Sequence, residues 1–291
     1  MSGERNSRPP DTGQGYRDPV AHDATATYTL AIIGGGNMGE ALLGGLIDSG
    51  WAPAERIAVV EISAARRAVL SDRYPGIRVT DQVPACEAAL IAVKPGDAPA
   101  AVTAAVSGGA RRILSIAAGV TVAALEAAAG SGVAVLRSMP NTPALVRAGA
   151  AALSAGSHAA EADVVWAESV LSAVGTVVRL PEAQLDAFTG LIGSGPAYVY
   201  LVTEALIDAG VLVGLPRATV QALVTQLLVG SAELLRSTGD LPETLRGNVT
   251  SPGGTTAAGL RELEQRGVRG AVLAAVEAAT ARSRELGAPK R

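Results

Sequence analysis

A glycine pattern held between a strand and a helix constrains this chain more than any other feature. Leu30-Ala31-Ile32-Ile33 is a short apolar run of the kind that forms a buried strand, and it breaks at Gly34. From Met38 to Asp48 the periodicity is helical, and Ser49-Gly50 stops it. Gly34-x-Gly36-x-x-Gly39 in that setting predicts a Rossmann-type turn for a dinucleotide. Gly34 permits the tight turn, Gly36 leaves room for a pyrophosphate, and Gly39 lets the helix pack close to the strand. The helix N-terminus, opened by Asn37 and Met38, favours the negative charge, so both join the candidate cofactor contacts.

Glu61 stands 22 residues past Gly39, at the end of the next predicted strand, Ile57-Ala58-Val59-Val60. A carboxylate there accepts from the ribose hydroxyls of NAD and repels the extra phosphate of NADP. Arg66 and Arg67 follow one turn later and are able to offset that repulsion. The plainer alternative is a solvated Glu–Arg pair, and the choice between NADH and NADPH stays open.

Further apolar runs at 77–79, 89–93, 113–116, 133–136, 151–153 and 177–180 alternate with Ala-rich helical stretches. That alternation predicts an α/β domain with a parallel sheet covered on both faces. After Leu180 the texture becomes helical. Pro196 and Pro216 stand where helices open, and Gly210, Gly239 and Gly267 where helices stop. The expected organisation is a tail over 1–27, a dinucleotide-binding domain over 28–181 and an all-helical domain over 182–291. The tail has no apolar run, which reads as a disordered extension and not as a signal or transit peptide. The helix from Ala197 to Val213 is apolar nearly all round and needs more than one partner surface. A second copy of the chain and a single-chain bundle built around this helix remain equal alternatives. Glu204 and Asp208 within the apolar stretch Tyr198–Leu215 argue for a buried helix over a membrane span, and so for a cytoplasmic protein.

Composition narrows the function classes. The 291 residues carry a net charge of −3, so no basic field is present to hold nucleic acid. One cysteine, Cys86, and two histidines, His22 and His158, leave no material for a disulfide framework or a Cys/His metal site, and no metal is expected.

Three more segments fall at predicted strand ends, where open α/β sheets bind ligands: Ala92-Val93-Lys94-Pro95, Ser115-Ile116-Ala117-Ala118-Gly119 and Arg137-Ser138-Met139-Pro140-Asn141-Thr142-Pro143. In the helical region, Gly193-Ser194-Gly195-Pro196-Ala197-Tyr198 is a flexible turn before a proline-started helix. A second glycine turn, Asn248-Val249-Thr250-Ser251-Pro252-Gly253-Gly254-Thr255-Thr256, also ends at a helix start. Backbone N–H groups at that start suit a small carboxylate without any arginine.

Taken in order, these motifs resemble the pyrroline-5-carboxylate reductase family, from about Leu30 to Leu286. The strongest match runs from Val249 to Glu264. The resemblance implies NADPH- or NADH-dependent reduction of (S)-1-pyrroline-5-carboxylate to L-proline, and a helical domain that dimerises by interleaving, often into a ring of dimers. It also implies that Thr255 and Thr256 contact the substrate, with Thr256 the candidate catalytic group. Val249 and Gly254 line the substrate, and Ser194 and Glu182 lie near it. Asn248 reaches the cofactor, as do Ala92, Val93, Lys94, Pro95 and Ala117. No histidine occupies a matched motif, so the imine binds already protonated or Thr256 donates through a water. The rival enzymes are a β-hydroxyacid dehydrogenase or an imine reductase. The segment after Gly195 lacks the lysine expected of the dehydrogenase. A dinucleotide-sensing regulator on the same fold is the non-catalytic rival.

Overall fold

The computed structural model describes residues 27–287; the expected tail lies outside these but for Thr27. The chain opens with β1 (Leu30–Ile33), α1 (Asn37–Asp48), β2 (Ile57–Val60), α2 (Ala64–Arg73), β3 (Arg78–Thr80) and β4 (Ala88–Ile91). It continues through α3 (Ala98–Ser107), β5 (Arg112–Ser115), α4 (Val122–Ala129), β6 (Ala134–Pro140), β7 (Gly149–Ala155), α5 (Glu161–Ser172) and β8 (Gly175–Arg179). The rest is helical: α6 (Leu185–Phe188), a π-helical turn over Thr189–Gly193, then α7 (Gly195–Leu212), α8 (Arg217–Thr238), α9 (Pro242–Asn248), α10 (Thr255–Gln265) and α11 (Val268–Gly287).

The eight strands form one sheet in the order β3-β2-β1-β4-β5-β6-β7-β8. The first six are parallel and follow the doubly wound arrangement of dinucleotide-binding folds. β7 departs from the expected all-parallel sheet: it runs antiparallel to β6, pairing Ser138 with Leu153, and β8 runs parallel to β7. The connection explains the reversal. Only a short 3-10 helix, Thr142–Val146, links β6 to β7, too little for the crossover that a parallel pair requires. β1, β2 and β4 are buried along their whole length, because helices cover both faces. Leu42, Leu43, Leu46 and Leu70 pack on one face with Leu30 and Ile32; Val102, Leu125 and Ile113 pack on the other with Ala31 and Ile33.

Gly210 does not stop a helix, as the sequence reading expected. It lies inside α7, which runs to Leu212 before Gly214 turns the chain at φ +97°. A Cβ at Gly210 would come within 2.6 Å of the Val220 side chain, so this glycine is a contact point for α8. The burial expected for α7 is also missing within one chain. No residue of α7 is buried; Tyr200 is 60% exposed and Leu201 67%. This removes the single-chain bundle with α7 at its centre and leaves an apolar surface that needs a partner.

α11 returns to the sheet half and holds the π-helical turn. Gly190 allows it, because a Cβ there would collide with Thr280 Oγ1 at 2.2 Å. Ser283 Oγ also lies 2.6 Å from Asp186 Oδ1, tying α11 to α6.

Candidate active site

The strand order reverses between β1 and β4, and the carboxyl ends of those two strands carry the glycine loop and Ala92–Pro95. Gly34 has φ +109°, and a Cβ on it would lie 2.5 Å from the Ala92 carbonyl oxygen. A Cβ on Gly39 would lie 2.1 Å from the Gly34 carbonyl oxygen, which is how closely α1 abuts the loop. Gly36 differs: a Cβ there would meet nothing within 4 Å, and the residue caps α1 without any side-chain hydrogen bond. The first N–H groups of α1, from Asn37 and Met38 onward, therefore face open space with no side-chain cap. A pyrophosphate fits that cradle in charge and in room.

The Ala92 amide donates to Ile33 O (2.8 Å), and the Ile116 amide to Ile91 O (3.0 Å), which continues the β4–β5 register past the strand ends and sets Ile116 beside Ala92. Ala117 is buried and donates its N–H to Ser115 Oγ at 3.3 Å. Val93 is half-buried, and Lys94 and Pro95 are exposed where a 3-10 turn begins.

Glu61 forms no ion pair with its neighbouring arginines. Its carboxylate accepts from the Gly35 N–H (3.0 Å) and the Ser63 N–H (2.8 Å). Arg66 donates from Nε to the Gly35 carbonyl (2.7 Å) and pairs with Glu40. Arg67 donates to the carbonyls of Glu61 (2.8 Å) and Ile62 (2.9 Å) and lies 3.5 Å from Asp81. Glu40 is also held by Arg73. Burial pushes the Glu40 carboxyl up, but the hydrogen bonds and charges of Arg66 and Arg73 outweigh it and hold its pKa below the ordinary value. Glu40 was not singled out from the sequence, since its first-turn position reads as a simple helix-dipole partner.

Glu182 sits at the start of the helical region. Its Oε1 accepts from Arg137 Nη1 (2.8 Å) and from the Val122 amide (2.7 Å) at the N-terminus of α4. These bonds commit the carboxylate to joining β6, α4 and the helical region. Asn141 makes a second joint that the sequence reading quoted in a motif but gave no role. Its Nδ2 donates to Ile192 O (3.2 Å), and its Oδ1 accepts from the Ala150 amide (2.8 Å). Ser194 follows directly, its amide donating to Thr189 O (2.8 Å) to close the π-helical turn. Such turns recur at functional sites.

The second glycine turn lies apart from these groups. Asn248 ends α9, Val249 is 65% exposed, and Gly253 adopts φ +69°. Gly254 caps α10 without a side-chain hydrogen bond, so the N–H groups of Thr255 and Thr256 open outward. α10 makes its main packing contact with α11, and Thr255 is exposed. Ser251, Pro252, Gly253 and Thr255 of this turn are exposed among the described residues. Cavities of about 460 Å³ and about 580 Å³ lie beside α1 and at the amino ends of the strands; neither is lined by a residue of 248–256.

Comparison with known proteins follows these two halves. Residues 182–286 match the family described as pyrroline-5-carboxylate reductase dimerisation, and residues 29–119 match one described as NADP oxidoreductase coenzyme F420-dependent. A pyrroline-5-carboxylate reductase from Synechocystis is 46% identical over 265 residues, covering 89% of this chain and 98% of the relative. One from Corynebacterium melassecola is 41% identical over 267 residues, covering 89% and 98%. The structure of a pyrroline-5-carboxylate reductase from Coxiella burnetii superposes with a TM-score of 0.83 at 33% identity, covering 91% of this chain and 100% of that one. A Plasmodium falciparum pyrroline carboxylate reductase with NADP bound gives 0.78 at 30% identity, covering 90% and 98%. With identity at this level over nearly the full length of both partners, the chain belongs to the pyrroline-5-carboxylate reductase family.

Proposed function

We propose that the chain reduces (S)-1-pyrroline-5-carboxylate to L-proline with NADPH or NADH, as the last step of proline synthesis, in the cytoplasm. The observation that carries this reading is the uncapped start of α10 behind Gly253-Gly254, a ready anion site in the strongest family motif. The substrate is a small cyclic imine with one carboxylate. The N–H groups of Thr255 and Thr256 bind that carboxylate, their hydroxyls fix the ring, and Val249 lines its apolar edge. The dinucleotide domain, 28–181, holds the pyrophosphate on the first turn of α1. Bound NAD(P)H supplies the hydride that reduces the imine carbon. Residues 182–291 provide the substrate turn and the surface for self-association.

Thr256 orients the ring nitrogen and holds a water against it, or the nitrogen arrives already protonated. In the first case that water gives the nitrogen its proton and solvent neutralises the hydroxide left behind; in both cases hydride addition to the resulting iminium carbon then gives the neutral amine. The chain's own part is then positioning and exclusion of bulk water. Because the substrate turn is uncovered in its own chain, the working unit is a homodimer in which each turn meets the partner's dinucleotide domain; a ring of dimers extends the same contact. No role for nucleic acid or membrane enters this reading.

The test is cofactor oxidation with pyrroline-5-carboxylate, run in parallel with NADH and NADPH. Turnover with at least one is expected. No turnover with either, alongside intact nucleotide binding, would favour the dinucleotide-sensing regulator.

A further inference from the structure

Both arginines that follow β2 are already engaged. Arg67 spends Nη1 on the carbonyls of Glu61 and Ile62 and faces Asp81. Arg66 is the one of the two that rests over the glycine loop, through Nε on Gly35 O at 2.7 Å. Glu61 holds the amide of that same Gly35, so the cation and the carboxylate bind the two successive peptide groups that flank one residue. The ion pair with Glu40 on α1 restrains the Arg66 guanidinium from turning outward, together with the Nε bond to Gly35 O. Glu40 is only 13% exposed, and it divides itself: Oε2 goes to Arg66 and Oε1 to Arg73. Arg73 is 60% exposed and has solvent on its far side.

A ribose 2′-phosphate placed at the end of β2 meets the Glu61 carboxylate and needs a cation to offset it. Arg66 is the cation in place, and its outward turn requires breaking the bond to Glu40. We propose that Glu40 is a positioning residue that sets cofactor choice: it withholds Arg66 from a 2′-phosphate and so tilts the site toward the unphosphorylated dinucleotide. The inference rests on the reading that the Gly34–Gly39 loop holds the dinucleotide. It assigns a specificity role to a residue that has no hydrogen bond to Glu61 and acts through Arg66. It also gives Arg73 a role of opposite sign, because Arg73 competes with Arg66 for the same carboxylate.

Calorimetry with adenosine 2′,5′-bisphosphate and with 5′-AMP reads the effect without turnover. Glu40→Gln keeps the size and removes the charge. It should tighten the 2′,5′-bisphosphate about tenfold, the equivalent of one charge-assisted hydrogen bond, and leave 5′-AMP within about twofold. Arg73→Ala, on the exposed side, should loosen the 2′,5′-bisphosphate by about threefold, since Glu40 then grips Arg66 alone. The NADPH-to-NADH ratio of kcat/KM should move in the same two directions. If Glu40 only braced the loop, Glu40→Gln would weaken both nucleotides together, and that result overturns the proposal. An unchanged discrimination in both variants overturns it as well. Failure of the wild-type protein to bind either nucleotide would instead remove the dinucleotide reading, and this inference with it.

Discussion

Gly34 and Gly36 stand two residues apart in one loop, yet they answer to different demands. Gly34 is fixed by the fold, with φ +109° and the Ala92 carbonyl where a side chain would go. Gly36 is fixed by no protein neighbour. Gly34→Ala should therefore cost on the order of 2 kcal/mol or more in stability and lower Tm. Gly36→Ala should leave Tm unchanged and weaken the dinucleotide, seen as a rise in Kd. Equal loss of Tm in both would show that the Gly36 cradle is structural. Thr256 tests the other half of the site. Thr256→Val keeps the bulk and removes the hydroxyl; loss of a hydrogen bond to a charged ligand costs about 1.5–3 kcal/mol, so kcat/KM for the imine should fall roughly ten- to a hundredfold. Dinucleotide Kd should not move. The glycine roles were legible because backbone turns impose them locally. The engagement of Arg66 was not, because its acid partner, Glu40, lies 26 residues earlier on a different helix.

At the scale of elements, Glu182 is the joint between the sheet and the helices. Arg137 is buried on β6, and its pairing with Glu182 also satisfies an amide at the start of α4. Glu182→Gln leaves that arginine without its counter-charge; a loss of about 1–3 kcal/mol is expected, read by urea unfolding. A change of less than a few tenths would make the joint dispensable. On the opposite face, the α1–α2 ion network has a pH signature. The folded pKa of Glu40 lies below its ordinary 4.5, so its contribution is complete above that value and is lost as pH falls through the lowered folded pKa. The stability gap between wild type and Glu40→Gln should narrow as pH drops below about 4.5; a constant gap would contradict the assignment. Strands β1, β2 and β4 were readable as continuous buried runs, which only two-sided coverage produces. The reversal of β7 was not, because an apolar period has no direction and the short 142–146 link looked like one more motif loop. Gly210 misled for a related reason: its cause is Val220 on the next helix, and a lone glycine in a helical pattern resembles a stop.

For the whole molecule, the decisive fact is how little α7 buries. In α8 only Val220 and Val224 are buried, and Leu223, Leu227 and Val229 are more than half exposed. The apolar period was legible; which surface would cover it was not, since no element among the described residues buries α7. Sedimentation at micromolar concentration should give a dimer or a multiple of it, and a monomer would break the proposed assembly. Mixing an inactive Gly36 variant with an inactive Thr256 variant should restore part of the activity, because one hybrid site draws both intact halves from different chains. No recovery after verified subunit exchange would place each site within one chain.

The open face of α7 also bears on what stability means for this protein. A chain that meets its second apolar surface only by association pays for folding partly in encounters between molecules. Unfolding is then bimolecular in reverse, and its midpoint depends on how much protein is in the tube. Dilution alone should lower Tm, and newly made chains must find a sister before α7 and α8 meet another sticky surface. Abundance in the cell thereby becomes one of the determinants of the fold.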